Sequence, residues 1–265
     1  MSVIRTDRWL LDTYNNPVKI CEKLTGHFEG ALAYEIYNYL SMHGMYRLSK
    51  NGSEIVGKLI DNQVWEIVQK DEYILQKNWG GPDIPVYIFP SDANNILIQK
   101  HFNGKSGLAF ADKLFLFISG ENVEKEIKSL FTHEYNHVCR LYKLPKKEEE
   151  YELLDTIILE GLAEHAVRER LGEPYVANWV SFYTDKQIES MWHKIVCPNR
   201  NLHSIDREYQ AILYGLGNYP NMLGYSVGYY LVKRYIEKYN LSSKDLLSIK
   251  TSDFAETNYE KYNDI

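Results

Sequence analysis

Residues 132–137 read T-H-E-Y-N-H, and His133, Glu134 and His137 within them make an H-E-x-x-H. On a helix, two imidazoles four residues apart project from one face about a turn apart and can grip one metal ion. The acid between them falls beside the pair, poised to take a proton from metal-activated water rather than to ligate. A catalytic zinc takes three protein ligands and keeps a fourth position open, so a third ligand is expected from another element. Residues 159–164, L-E-G-L-A-E, offer Glu160 and Glu164 one turn apart. Their neighbours are Ile157, Ile158, Leu162, Ala166 and Val167, among which a carboxylate is costly to bury unless it is paired or metal-bound. Glu160 reads as the third ligand, and Glu164 as an outer acceptor that orients a ligating His through its other ring nitrogen. A solvated face of helical charges is the competing reading for either segment alone, whereas the two together favour the metal. His165 reads as an ordinary surface or core histidine. Imidazole and carboxylate donors suit Zn²⁺ and also accept Co²⁺, Mn²⁺ or Ni²⁺.

These side chains need elements to hold them. From Asn122, read as an N-cap, the stripe Ile127, Leu130, Phe131, Val138, Leu141 repeats with helical period and stops before Pro145. A second helix fits residues 150–171, with Leu153, Leu154, Ile157, Ile158 and Leu162 on its apolar face and Gly172 as its stop. Residues 222–240, M-L-G-Y-S-V-G-Y-Y-L-V-K-R-Y-I-E-K-Y-N, read as a further amphipathic helix. Upstream, V-Y-I-F, G-L-A-F-A-D and K-L-F-L-F-I-S are three strand candidates of a small sheet, the last ended by a turn at Gly120. Residues 31–46 and 54–77 carry helical spacing. The expected class is α+β, with residues 1–80 a helical segment and residues 81–265 the part that bears the site.

Composition excludes several functions. A net charge of −6 over 265 residues, with short lysine runs flanked by acids, argues against nucleic acid as the partner. No stretch approaches the roughly 18 apolar residues of a membrane span. The segment M-S-V-I-R-T-D-R-W-L-L has no secretory h-region, and Cys21, Cys139 and Cys197 are odd in number and in no C-x-x-C. A reducing, cytoplasmic setting is the expectation.

H-E-Y-N-H followed by L-E-G-L-A-E resembles the gluzincin zinc peptidases, in which H-E-x-x-H on one helix is completed by a Glu on the next. The E-G-x-A shared with the zinc aminopeptidases assigns Glu160 as ligand, and Glu164 matches the acid that in thermolysin-like enzymes contacts the first His. G-Y-S-V-G-Y resembles the Y-E-K-G segment whose Tyr donates to the tetrahedral oxyanion, which implies Tyr225 for that role. A phenol is a neutral donor suited to it. Tyr219, Tyr229, Tyr230, His193 and His203 are competitors among 22 tyrosines and eight histidines. In gluzincins the strand before the motif pairs with the substrate backbone, which implies Gly107, Leu108, Ala109, Phe110 and Ala111 here. The G-A-M-E-N acid that holds a substrate amine in aminopeptidases is missing, which favours endopeptidase action. Over residues 80–235 the chain is similar to the YjaZ-like family of zinc-dependent proteases predicted in bacilli. The resemblance implies a zinc peptidase acting on a peptide or protein, with Glu134 as general base. The alternatives are a catalytically silent protein of the same fold, against which the retained Glu134 argues, and a hydrolase of a non-peptide amide.

Overall fold

The computed structural model describes residues 2–49 and 51–256. Packing divides the chain into two compact units, Met1–Val138 and Cys139–Ile265. The division falls inside a helix.

The first unit opens with α1 (Thr6–Thr13), α2 (Pro17–Glu22), α3 (Ala33–Met42), α4 (Gly52–Asp61) and α5 (Val64–Trp79). The helical spacing over 54–77 is carried by two helices, α4 and α5. Gln63 takes a left-handed backbone, φ 54°, and Asn62 Nδ2 donates to Gly120 O at 2.8 Å, so the chain turns between the two. Then follow β1 (Val86–Pro90), α6 (Ile96–His101), β2 (Ser106–Ala109) and β3 (Leu114–Ile118). The sheet order is β1-β3-β2, with β1 parallel and β2 antiparallel to β3. β1 and β3 are buried at every position, as their unbroken apolar runs require of strands covered on both faces. β2 is half-exposed throughout and forms an edge. It ends at Ala109, so Phe110 and Ala111, expected within the strand, enter the hairpin turn that Phe110 N–H closes on Lys113 O at 2.9 Å.

α7 (Glu124–Lys143) carries the H-E-x-x-H. Asn122 is not its cap: its Oδ1 accepts from Ser119 N–H at 2.9 Å, closing the turn after β3, and Glu126 reaches back to Val123 N–H instead. Within the first unit Tyr135 fixes α7, stacking on Phe131 and Trp79 and donating its hydroxyl to Pro82 O at 3.0 Å.

The second unit holds the end of α7, α8 (Leu153–Leu171), α9 (Asp185–Met191), α10 (Arg207–Tyr214), α11 (Leu223–Tyr239), α12 (Ser243–Leu246) and α13 (Thr251–Glu256). α8 stops where expected, at Gly172 with φ 88° and its N–H on Arg168 O. α8 and α11 pack along Ile157, Ile158, Leu162, Val227, Leu231 and Val232, all buried. Their crossing is close because it is built on glycine: a Cβ on Gly228 would stand 2.6 Å from the Ile157 carbonyl carbon, and one on Gly161 would stand 2.9 Å from Tyr229 N. Arg140, 5% exposed, spends one guanidinium nitrogen on the carbonyls of Leu246, Leu247 and Ile249, tying the loop between α12 and α13 to the end of α7. Burial lowers its pKa to about 10.

Candidate metal centre

α7 sets the spacing of the first two donors. The rings of His133 and His137 stand 4.6 Å apart between centroids and nearly perpendicular, at 85°, which is what an i, i+4 pair on one helical face produces. His137 is 6% exposed and Glu134 8%, while His133 is half-buried. Glu134 lies against the edge strand. A Cβ built on Gly107 would stand 2.6 Å from Glu134 Oε1, so only a residue without a side chain lets the carboxylate occupy this place beside β2.

The backbone of β2 is open along its outer edge. Because Phe110 and Lys113 form a hydrogen-bonded pair, the alternation of an antiparallel ladder puts Leu108 and Ser106 in the bonded positions against Phe115 and Phe117. The N–H and C=O of Gly107 and Ala109 therefore point away from β3, and no described residue pairs with them.

α8 presents Glu160 and Glu164 one turn apart. Glu164 is 4% exposed and accepts from Ala177 N–H in the turn that follows α8. Glu160 is half-buried, and its charge helps to raise the pKa of Tyr214, for which burial is the larger cause. Tyr214 is hydrogen-bonded to Tyr225, whose ring sits 5.7 Å from that of Tyr214 and 5.3 Å from that of Trp179. Thus Tyr225 and Glu160 share a neighbour at the end of α10. Nothing in the local sequence of α10 flagged Tyr214, since its role arises from the packing of α10 on α8 and α11.

Tyr229 points into different surroundings: it is 6% exposed, with Arg168, Glu173 and Glu164 as its charged neighbours. His165, expected at the surface or in the core, is a core residue. It stacks on Tyr229 at 3.9 Å with its Nε2 3.0 Å from Tyr229 O, and burial pushes its pKa down to about 4. It is therefore neutral near pH 7, with Nε2 as the donor.

His133, His137 and Glu160 each offer one ligand atom, and these atoms lie within 4.8 Å of one another. Two imidazoles and a carboxylate are the donor set of a three-ligand zinc site, so the residues present fit the ion.

Residues 64–256 match a family described as "Predicted Zn-dependent protease" (DUF2268). The chain belongs to this family. It is also 42% identical over 221 residues to a Bacillus subtilis (strain 168) protein named "Uncharacterized protein YjaZ", covering 83% of this chain and 85% of that one. A second protein of the same organism, "Uncharacterized protein YjfC", is 23% identical over 168 residues, covering 60% of this chain and 56% of its own length. The matched region of this Predicted Zn-dependent protease family begins at α5 and contains the sheet, α7, α8 and α11. Among the described residues no helix is long and apolar enough to cross a membrane.

Proposed function

We propose that this chain is a gluzincin-type zinc peptidase that cleaves internal bonds of a peptide or protein held in extended form along β2. The observation that carries the reading is the convergence of His133, His137 and Glu160 within 4.8 Å, with Glu134 adjoining the two His on α7. Zn²⁺ held by these three residues would supply the Lewis acid that polarises the peptide carbonyl and lowers the pKa of a water molecule. Glu134 accepts the proton of the attacking water and returns it to the leaving amine. Its low exposure and its place against Gly107 hold the carboxylate in one position for both transfers. The Tyr225 phenol donates to the carbonyl oxygen as charge develops there, with Tyr214 holding its orientation. Glu164, fastened by Ala177 N–H, orients a ligating His. The outward N–H and C=O of Gly107 and Ala109 bind the substrate main chain by adding it to the sheet edge. In this reading residues 81–265 form the catalytic part, residues 1–80 support it, and the enzyme works in the cytoplasm.

The deciding experiment is metal analysis of the purified protein followed by digestion of a peptide library. Wild type is expected to hold one Zn²⁺ and cut, and Glu134→Gln to hold the same zinc and cut almost nothing. Equal turnover by the two proteins refutes the mechanism.

A further inference from the structure

β2 has two faces, and only one of them belongs to the metal. Side chains alternate along a strand, so Gly107 and Ala109 face Glu134 while Ser106 and Leu108 face the opposite way. On that opposite face Leu108 pairs with Phe115, and Phe110 lies edge-on to Phe115 with centroids 6.2 Å apart. From there a row of rings runs beside the strand. Phe28 is 6.0 Å from Phe110, Tyr39 is 6.5 Å from Phe110, and His43 is 4.7 Å from Tyr39. The row ends where His43 O accepts from Ser106 Oγ at 2.9 Å, so α3 accompanies β2 from its hairpin end back to its start. Phe28, Tyr39, His43, Leu108 and Phe110 are all half-buried, each keeping part of its surface accessible. At the hairpin end the Lys113 ammonium, bound to Asp112, sits 4.3 Å from the Phe110 ring and 5.0 Å from the Phe28 ring. Burial holds the pKa of His43 below its ordinary value, so the row is uncharged at its other end near neutral pH.

We infer that Phe28, Tyr39, His43 and Phe110 form a side-chain subsite that selects a large apolar or aromatic residue of the substrate next to the one placed opposite Gly107. The inference rests on the peptidase reading above and adds the substrate class. A strand laid on the free edge of β2 repeats its alternation. The residue opposite Gly107 turns its side chain toward Glu134, and its neighbour at the level of Leu108 turns its own toward Tyr39 and Phe110. The occupant is an extended chain because the open main-chain groups of Gly107 and Ala109 require a strand partner, and its side chain is apolar because the wall it meets is aromatic. The Lys113 ammonium at the end of the wall disfavours a basic side chain there.

The test uses the full-length zinc-loaded protein and a peptide library, with cleavage positions read by mass spectrometry. Wild type is expected to favour Phe, Tyr, Leu or Met over Ala at one position beside the cleaved residue. Tyr39→Glu and Phe110→Ala are expected to lower the Phe-to-Ala ratio of kcat/KM by roughly 10- to 100-fold, the scale of lost apolar contacts in a pocket. Tyr39→Phe should keep the ratio, and Tyr39→Glu should raise Arg peptides relative to Phe peptides. A wild type without apolar preference, or variants that lose rate while the ratio holds, overturns the inference. If wild type cuts no peptide at all, the peptidase reading has failed. Binding of labelled peptides to Glu134→Gln by fluorescence anisotropy then decides the subsite separately: a Phe peptide should bind more tightly than its Ala counterpart, and Tyr39→Glu should abolish the difference. Equal binding overturns it, as does a dimer that Tyr39→Glu dissociates, which would assign the wall to a second copy of the chain.

Discussion

Gly107→Ala isolates what the approach of β2 to Glu134 is worth. The added methyl carbon would lie 2.6 Å from Glu134 Oε1, and ordinary contact begins near 3.4 Å, so the carboxylate must withdraw by at least about 0.8 Å (3.4 − 2.6). The backbone of Gly107 is not left-handed, so Ala is tolerated there, and the atoms nearest the new methyl all belong to Glu134. A displacement near 1 Å of a group that must meet a reacting atom costs on the order of 10²-fold in rate. Overpacking one methyl group costs about 1–3 kcal/mol of stability, which a domain of this size survives. The expected result is therefore a folded Gly107→Ala protein with wild-type zinc content and kcat/KM on a cleavable peptide reduced roughly 100-fold. Adding Gly107→Ala to Glu134→Gln should cost little further, because the group that it displaces has already lost its function. Full activity in Gly107→Ala, or a full second loss in the double variant, refutes the assignment of Glu134 as the positioned base.

Glu160→Ala should weaken zinc binding strongly and Glu164→Ala by about 10- to 100-fold, measured by competition with a chromophoric chelator; a Glu160→Ala protein with wild-type affinity removes Glu160 from the ligand set. Tyr225→Phe should lower kcat by roughly 10²- to 10³-fold with little change in KM, while an equal loss in Tyr214→Phe and none in Tyr225→Phe would move the oxyanion donor to Tyr214. Gly228→Ala should push α11 off α8 and lower the urea midpoint by the equivalent of about 3 kcal/mol or more, because its methyl would meet the Ile157 backbone, which cannot rotate away. His165 takes up a proton near 6.5 when unfolded and only near 4 when folded. The unfolded state thus binds more protons between these values, and stability should fall by up to about 3 kcal/mol as pH drops from 6.5 to 4 and level off below. His165→Gln should flatten that part of the urea-midpoint profile, and an identical slope in both proteins would contradict the buried neutral imidazole.

The candidate metal face was legible in the sequence wherever the geometry is local. Four residues on one helix place His133 and His137 on one side whatever the rest of the chain does, and the glycine at 172 ends α8 by its own backbone freedom. Glu160 and Glu164 stood out because carboxylates are expensive in an apolar run, a cost that is visible before any partner is known. Asn122 misled because its amide oxygen accepts from Ser119 N–H, a bond within the turn that competes with capping α7 and that residue type alone does not reveal. The remaining features depend on chains that meet only after folding. Gly107 read as one residue of a strand, and only the packing of α7 against the sheet turns it into the space in which Glu134 sits. Gly161 and Gly228 lie 67 positions apart and acquire their function by facing each other, and Tyr214 joins Tyr225 and Glu160 because α10 lands on the same two helices. Residue type and local period determine which groups can do chemistry, whereas the distances between elements are set by close packing, which no single segment encodes.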